Sequence, residues 1–287
     1  MKVLVTGSNG QLGYDVINEL RKRSHSAVGF DIDSLDITDK SSVDETIDFE
    51  KPDAVIHCAA WTAVDAAESN EEQCRLVNKT GTEYIAVACK RNDCKLIYLS
   101  TDYVFDGEGE RPWQPDDARN PLNVYGKTKY EGELAVEQLE KYFIVRIAWV
   151  FGKNGKNFVK TVLNLAKNHD TLNFVCDQIG TPTYTYDLAR LLADMVQSDK
   201  YGIYHATNEG GYISWYDFVL EILKQAKIEG KTVNPVSSDE FVTAAKRPHN
   251  SRLDKSKLAA NGFDPLPDWK DALKRYLTEI GETSNAD

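Results

Sequence analysis

The sequence predicts an α/β fold: a doubly wound, Rossmann-like parallel sheet with a smaller C-terminal lobe. Three observations lead there. Up to about residue 150, short β-rich apolar runs alternate with helical stretches. The runs are apolar almost throughout, as strands covered on both faces must be. A glycine-rich turn, "VTGSNGQLG", follows the first run directly and opens the first helical stretch.

The elements follow in order. "KVLVT" (2–6) is the first strand, and "GQLGYDVINELRKR" the helix after it. "SAVGFD" (26–31), "DAVIHCAA" (53–60), "KLIYLS" (95–100) and "FIVRIAW" (143–149) are the further strands. Between them lie "KSSVDETIDFE", the long "SNEEQCRLVNKTGTEYIAVACKRN", and a helix read from after Asn120-Pro121 through Glu140. Beyond residue 150 the rhythm is irregular. "TLNFVCDQ" (171–178) reads as one more strand of the same sheet, with "TYDLARLLADMVQS" (185–198) as a helix packed on it. "SWYDFVLEILKQAK" (214–227) is an amphipathic helix, and Val233 to Arg252 is loop-rich. Residues 1–150 are therefore expected to form the nucleotide-binding domain, with about 171–198 returning to it, and 151–287 mainly the second lobe.

Bulk properties narrow the function classes. A net charge of −11 argues against a nucleic-acid or membrane-surface binder. No apolar run approaches the roughly 20 residues a membrane helix needs. Five cysteines, an odd count without a C-x-x-C pair, suggest reduced thiols in a cytoplasm.

Two constellations carry chemistry. In the first, Gly7 permits a tight turn, Gly10 lets the backbone approach a pyrophosphate, and Gly13 allows close helix packing, with Gln11 and Leu12 between them. Asp31, ending the second strand, is placed to accept hydrogen bonds from an adenosine ribose. "AAWTAVD" (59–65) leaves the third strand at the same sheet edge, where Ala59 and Ala60 are small enough to let a dinucleotide lie close, followed by Trp61 and Thr62. In the second, "LSTDYVFDG" (99–107) follows the fourth strand, so Ser100, Thr101 and Asp102 fall at the ligand-binding edge of the sheet. Taken alone, such a Ser-Thr-Asp is equally a helix cap or a turn. Tyr125 stands four residues before Lys129, one helical face apart; with fourteen tyrosines, about one such pair arises by chance.

Together "TGSNGQLG", "AAWTAVDAAES", "STDYVFDG", "PLNVYGKTKYEGE", "RIAWVFG", "DQIGTPT", "WYDF" and "RPHNSRLD" span nearly the whole chain. On these motifs the sequence resembles the extended short-chain dehydrogenases/reductases, and among them the dTDP-4-dehydrorhamnose reductases. The resemblance implies reduction of a 4-keto nucleotide-sugar by NADPH or NADH, with Asp31 leaning toward NADH. It implies Tyr125 as proton donor, Thr101 as hydrogen-bond donor to the carbonyl, and Lys129 holding the nicotinamide ribose and lowering the Tyr125 pKa. Asp36 and Ile37 would flank the adenine, and Asp102, Tyr103, Trp149 and Arg247 would meet the sugar or its diphosphate. Mg2+ occurs in some members, but no carboxylate set for it is assigned here; monomer and homodimer both stay open. The alternatives are an epimerase or 4,6-dehydratase, although Asp102-Tyr103 lacks the Asp-Glu pair of a dehydratase, and a noncatalytic regulatory subunit that keeps the fold.

Overall fold

The computed structural model describes residues 1–283. Its first half alternates strand and helix. β1 (Lys2–Thr6), α1 (Gln11–Lys22), β2 (Ser26–Phe30), α2 (Lys40–Glu50) and β3 (Ala54–His57) come first. A helical run follows as α3 (Val64–Ser69), α4 (Glu71–Arg75), one turn of π spacing at Leu76–Gly81, and α5 (Thr82–Arg91). Then come β4 (Lys95–Thr101), α6 (Val124–Val136) and β5 (Tyr142–Ile147). Helix α6 ends at Val136, earlier than Glu140.

The second half is β6 (Val150–Phe151), α7 (Phe158–Asn168), β7 (Thr171–Val175), β8 (Ile179–Gly180), β9 (Thr183–Tyr184) and α8 (Thr185–Val196). It continues with β10 (Gly202–His205), β11 (Ile213–Ser214), α9 (Trp215–Gln225), β12 (Thr232–Val236), α10 (Ser256–Ala260) and α11 (Trp269–Glu279).

Six parallel strands form the central sheet in the order β10-β5-β4-β3-β1-β2. Strands β3 and β4 are buried along their whole length, which explains the apolar run in the middle of each. One face carries α1 and α8, whose Leu12, Val16, Leu20, Leu188, Leu191 and Leu192 share a core with β1, β3 and β4. The other carries α2, α5 and α6. The second lobe has its own core, in which Phe151, Val162, Phe218, Ile222, Trp269 and Tyr276 meet.

The expected strand at 171–178 exists but does not join the sheet. β7 pairs in parallel with β12, and the strand that extends the central sheet beside β5 is β10. The reason is burial. Thr171 and Asn173 are exposed, so β7 tolerates cover on one face only, whereas Tyr204 and His205 of β10 are sealed. The helix read at 185–198 does return, with α8 lying along α1.

Candidate active site

A cleft of about 690 Å³ opens beyond the carboxyl ends of β1 to β5, where the strand order reverses between β1 and β3. Its first wall is the glycine-rich turn. Gly7 has φ +64°, and a Cβ on Gly13 would fall 2.1 Å from the Gly7 carbonyl oxygen, so α1 can pack this closely only on glycine. Gly10 caps α1 without a side chain, and the first turn carries no acidic residue. The leading amides of a twelve-residue helix are thus left for an anion, which fits the pyrophosphate of a dinucleotide. Gln11 and Leu12 line the same wall, and Asp31, Asp36 and Ile37 line the next segment. The Asp31 carboxylate accepts the amides of Asn9 (2.9 Å) and Ile32 (2.8 Å). Ala59, Ala60 and Thr62 complete that side.

Thr101, Asp102, Tyr103, Tyr125, Lys129 and Trp149 line the opposite wall. Local sequence brings them together. Asn123 caps α6, its side chain accepting the Gly126 amide at 2.8 Å and donating to the Lys246 carbonyl at 2.8 Å, while Glu68 accepts the Val124 amide. A Cβ at Gly126 would lie 2.2 Å from the Tyr103 carbonyl oxygen. The glycine after Tyr125 therefore lets the helix press against the turn that carries Thr101.

Two expected residues do not line the cleft. Trp61 packs outward on Ala67, Cys74 and Val124, its indole donating to the Ala63 carbonyl at 3.1 Å. Arg247 grips Asp65 through two bonds of 3.0 and 2.6 Å and stands behind Tyr103.

Electrostatics departs from expectation at the Tyr-Lys pair. Burial pushes the Tyr125 phenol above its ordinary value, opposed by the Thr101 hydroxyl and reinforced by Asp102. The expected lowering of its pKa by Lys129 is absent among the protein groups that act on Tyr125. The Lys129 ammonium lies instead over the ring of Tyr98, 4.0 Å from its centroid. Burial draws Lys129 itself down to about 7, with Glu133 opposing. A buried, protonated phenol suits a proton donor, because an alkoxide is a stronger base than any phenolate and takes the proton downhill. Burial also pushes Asp102 up to about 6, against the Ser251 and Thr101 hydroxyls, and its Oδ2 has no hydrogen-bond partner among the described residues. Asp102 lines the cleft, and a buried, unpaired oxygen there suits a ligand hydroxyl.

Sequence reading missed the support behind these walls. Asn78, at the π turn, accepts the Trp61 amide at 2.8 Å and donates to Thr128 at 3.1 Å, and no spacing in the sequence announces it. Glu133 and Arg146 were also missed, as was the bond that ties Ser100 to Glu133. Glu133 does lie one turn beyond Lys129, a signal the same periodicity offered. Among the described residues, no group of three or more His, Cys, Asp or Glu is arranged to hold a metal ion.

A doubly wound sheet with a bare helix N-terminus at its switch point, and a Tyr-Lys pair facing a strand-end threonine, defines a nicotinamide-dependent oxidoreductase of the short-chain class. More narrowly, the chain belongs to the family described as RmlD substrate binding domain, which matches residues 1–282. It is 42% identical to the dTDP-4-dehydrorhamnose reductase of Aggregatibacter actinomycetemcomitans, covering 95% of this chain and 97% of that protein. The fold matches the crystal structure of a dTDP-4-dehydrorhamnose reductase ortholog from Clostridium acetobutylicum with TM-score 0.94 and 42% identity, over 98% of this chain and 99% of that one. It matches the Bacillus anthracis dTDP-4-dehydrorhamnose reductase in complex with NADP with TM-score 0.93 and 40% identity, over 97% and 99%.

Proposed function

We propose that this protein reduces the 4-keto group of dTDP-4-dehydro-6-deoxy-L-mannose with NAD(P)H, giving dTDP-L-rhamnose, the last step of its synthesis for cell-surface polysaccharide. The observation that carries this reading is the convergence of Thr101, Asp102 and Tyr125 on one cleft wall opposite the bare α1 amides, in a chain of this family. Bound NAD(P)H supplies the hydride for C4 of the sugar. The protein's residues do the rest. The α1 amides and the glycine turn hold the pyrophosphate, and Asp31 takes a ribose hydroxyl. Lys129 holds the nicotinamide ribose. The Thr101 hydroxyl, which donates to Asp102 Oδ1 at 2.9 Å, turns to donate to the keto oxygen and stabilises the charge that grows there, and Tyr125 Oη delivers the proton. Asp102 Oδ2 accepts from a sugar hydroxyl.

Trp149, which lines the cleft at the end of the central sheet, meets the sugar; for Arg247 to reach the diphosphate its pair with Asp65 must open. Among the described residues no helix is long and apolar enough to cross a membrane. The proposed setting is the cytoplasm, as a monomer or homodimer. The test is NAD(P)H oxidation measured across a panel of nucleotide 4-keto-sugars. Turnover of the dTDP-6-deoxy-L-sugar above the others supports the reading. Sugar conversion without net consumption of reduced cofactor would point to an epimerase or dehydratase, which recycles its cofactor.

A further inference from the structure

The best-connected buried charge near the cleft belongs to a residue the reaction as described does not use. Glu133 is 0% exposed and lies one turn beyond Lys129 on α6. Its Oε1 accepts Ser100 Oγ at 2.5 Å and Arg146 Nε at 2.8 Å; its Oε2 accepts Arg146 Nη2 at 2.8 Å and Arg119 Nη1 at 3.0 Å. The carboxylate thereby joins the tip of β4, strand β5 and the segment before α6 to the helix that carries Tyr125 and Lys129. Ser100 is the link to chemistry. It precedes Thr101 on the strand, so fixing its side chain fixes the strand tip and hence the direction of the Thr101 hydroxyl.

The charge matters separately. Lys129 is 3% exposed. The titratable groups that face it are His57 of β3, Cys58 just after it, Cys74 of α4, Tyr98 of β4, and Tyr125 and Glu133 of α6. Burial holds His57 down to about 3 and neutral, pushes Cys58 up to about 12, and raises Cys74, Tyr98 and Tyr125. None of these five is charged at neutral pH, which leaves Glu133 as the carboxylate acting on the ammonium among the described residues. Arg146, Arg119 and the Ser100 hydroxyl keep that carboxylate ionised against its burial. A fold that needed only cohesion here could use apolar side chains, since replacing a buried ion pair by hydrophobes is often neutral or stabilising.

We infer that Glu133 is a positioning residue of the reaction: through Ser100 it sets Thr101 against Tyr125, and its carboxylate, one helical turn from Lys129, acts on that ammonium. The inference rests on reading Thr101, Tyr125 and Lys129 as the catalytic groups. It is tested on the full-length enzyme with the 4-keto nucleotide-sugar and NAD(P)H, recording kcat and KM from about pH 6 to about pH 10. Ser100→Ala should lower kcat about tenfold while sugar KM and cofactor Kd stay within about twofold. Glu133→Gln should move the alkaline limb of kcat, where Lys129 loses its proton, to lower pH by at least about half a unit. Should Glu133→Gln fail to fold because Arg146 is left unpaired, E133Q/R146M removes both partners and should displace the limb in the same direction but by less, since a cation is lost with the carboxylate. A Ser100→Ala kcat within about twofold of wild type, or a limb that stays in place in the Glu133 variants, overturns the inference. Thr101→Val and Lys129→Met separate the two levels. Turnover that survives them overturns the underlying reading and this inference with it; turnover lost in them beside an unchanged Ser100→Ala overturns the inference alone.

Discussion

Trp149 lies stacked on Trp215, ring centroids 3.7 Å apart and planes 16° from parallel. Trp149 comes from the end of the central sheet and lines the cleft; Trp215 opens α9 in the second lobe. The backbone of Trp149 has φ +51°, a left-handed conformation that costs a β-carbon-bearing residue about 1–3 kcal/mol and persists only when its surroundings enforce it. The Thr183 amide, bonded to the Trp149 carbonyl at 3.1 Å, and the stack supply that enforcement. Trp215→Ala should therefore raise the sugar KM about tenfold with NAD(P)H affinity unchanged, and Trp215→Phe should recover most of the loss. Steady-state kinetics with cofactor titration checks this. An unchanged sugar KM in Trp215→Ala would show that the stack serves the fold alone.

Tyr125 is buried and its phenol is held protonated, so the hydroxyl is the group at stake and the ring only lines the wall. Tyr125→Phe should cut kcat by at least about a hundredfold and leave cofactor Kd within about twofold. Single-turnover measurement at saturating cofactor is the check. A variant that keeps about a tenth of normal kcat would remove Tyr125 as proton donor.

Asp102 carries a stability cost with a defined sign. Its folded-state pKa, about 6, lies above the unfolded value of 3.8, so the native state binds the extra proton. The stability this gives is fully present below the unfolded pKa and is lost as pH rises through about 6. At pH near 8 the buried carboxylate opposes folding by an amount on the order of 1–3 kcal/mol. Asp102→Asn cannot ionise. Its Tm relative to wild type should be higher at about pH 8 than at about pH 4, while its sugar KM rises. A Tm difference independent of pH would contradict the assignment.

Coenzyme choice is expected to turn on Asp31. Its carboxylate is already held by two backbone amides beside the glycine turn, so it cannot swing away from a 2′-phosphate without losing both. NADH should be used with the higher kcat/KM, NADPH remaining a substrate, and Asp31→Ser should move the ratio toward NADPH. A wild-type kcat/KM for NADPH about tenfold above that for NADH would refute the preference.

The sequence by itself determined the first nucleotide-binding half and much of the proposed site. Near-continuous apolar runs specify strands buried on both faces, and glycines at 7, 10 and 13 mark a turn in which positions 7 and 13 admit only glycine. The Tyr125 to Lys129 spacing is fixed by helical periodicity and needs no tertiary contact to be read. Tertiary structure decided what depends on partners distant in the chain. Whether 171–175 or 202–205 joins the sheet was set by which strand can be covered on both faces, a property of the packed layers. Arg247 pairs with Asp65, 182 residues away, an arrangement that no local pattern encodes. The charge state around Lys129 was likewise beyond the sequence. Desolvation grows with burial, and burial here is the joint product of β3, β4, α4 and α6, so an ammonium expected to lower the Tyr125 pKa is itself drawn down to about 7 and depends on Glu133.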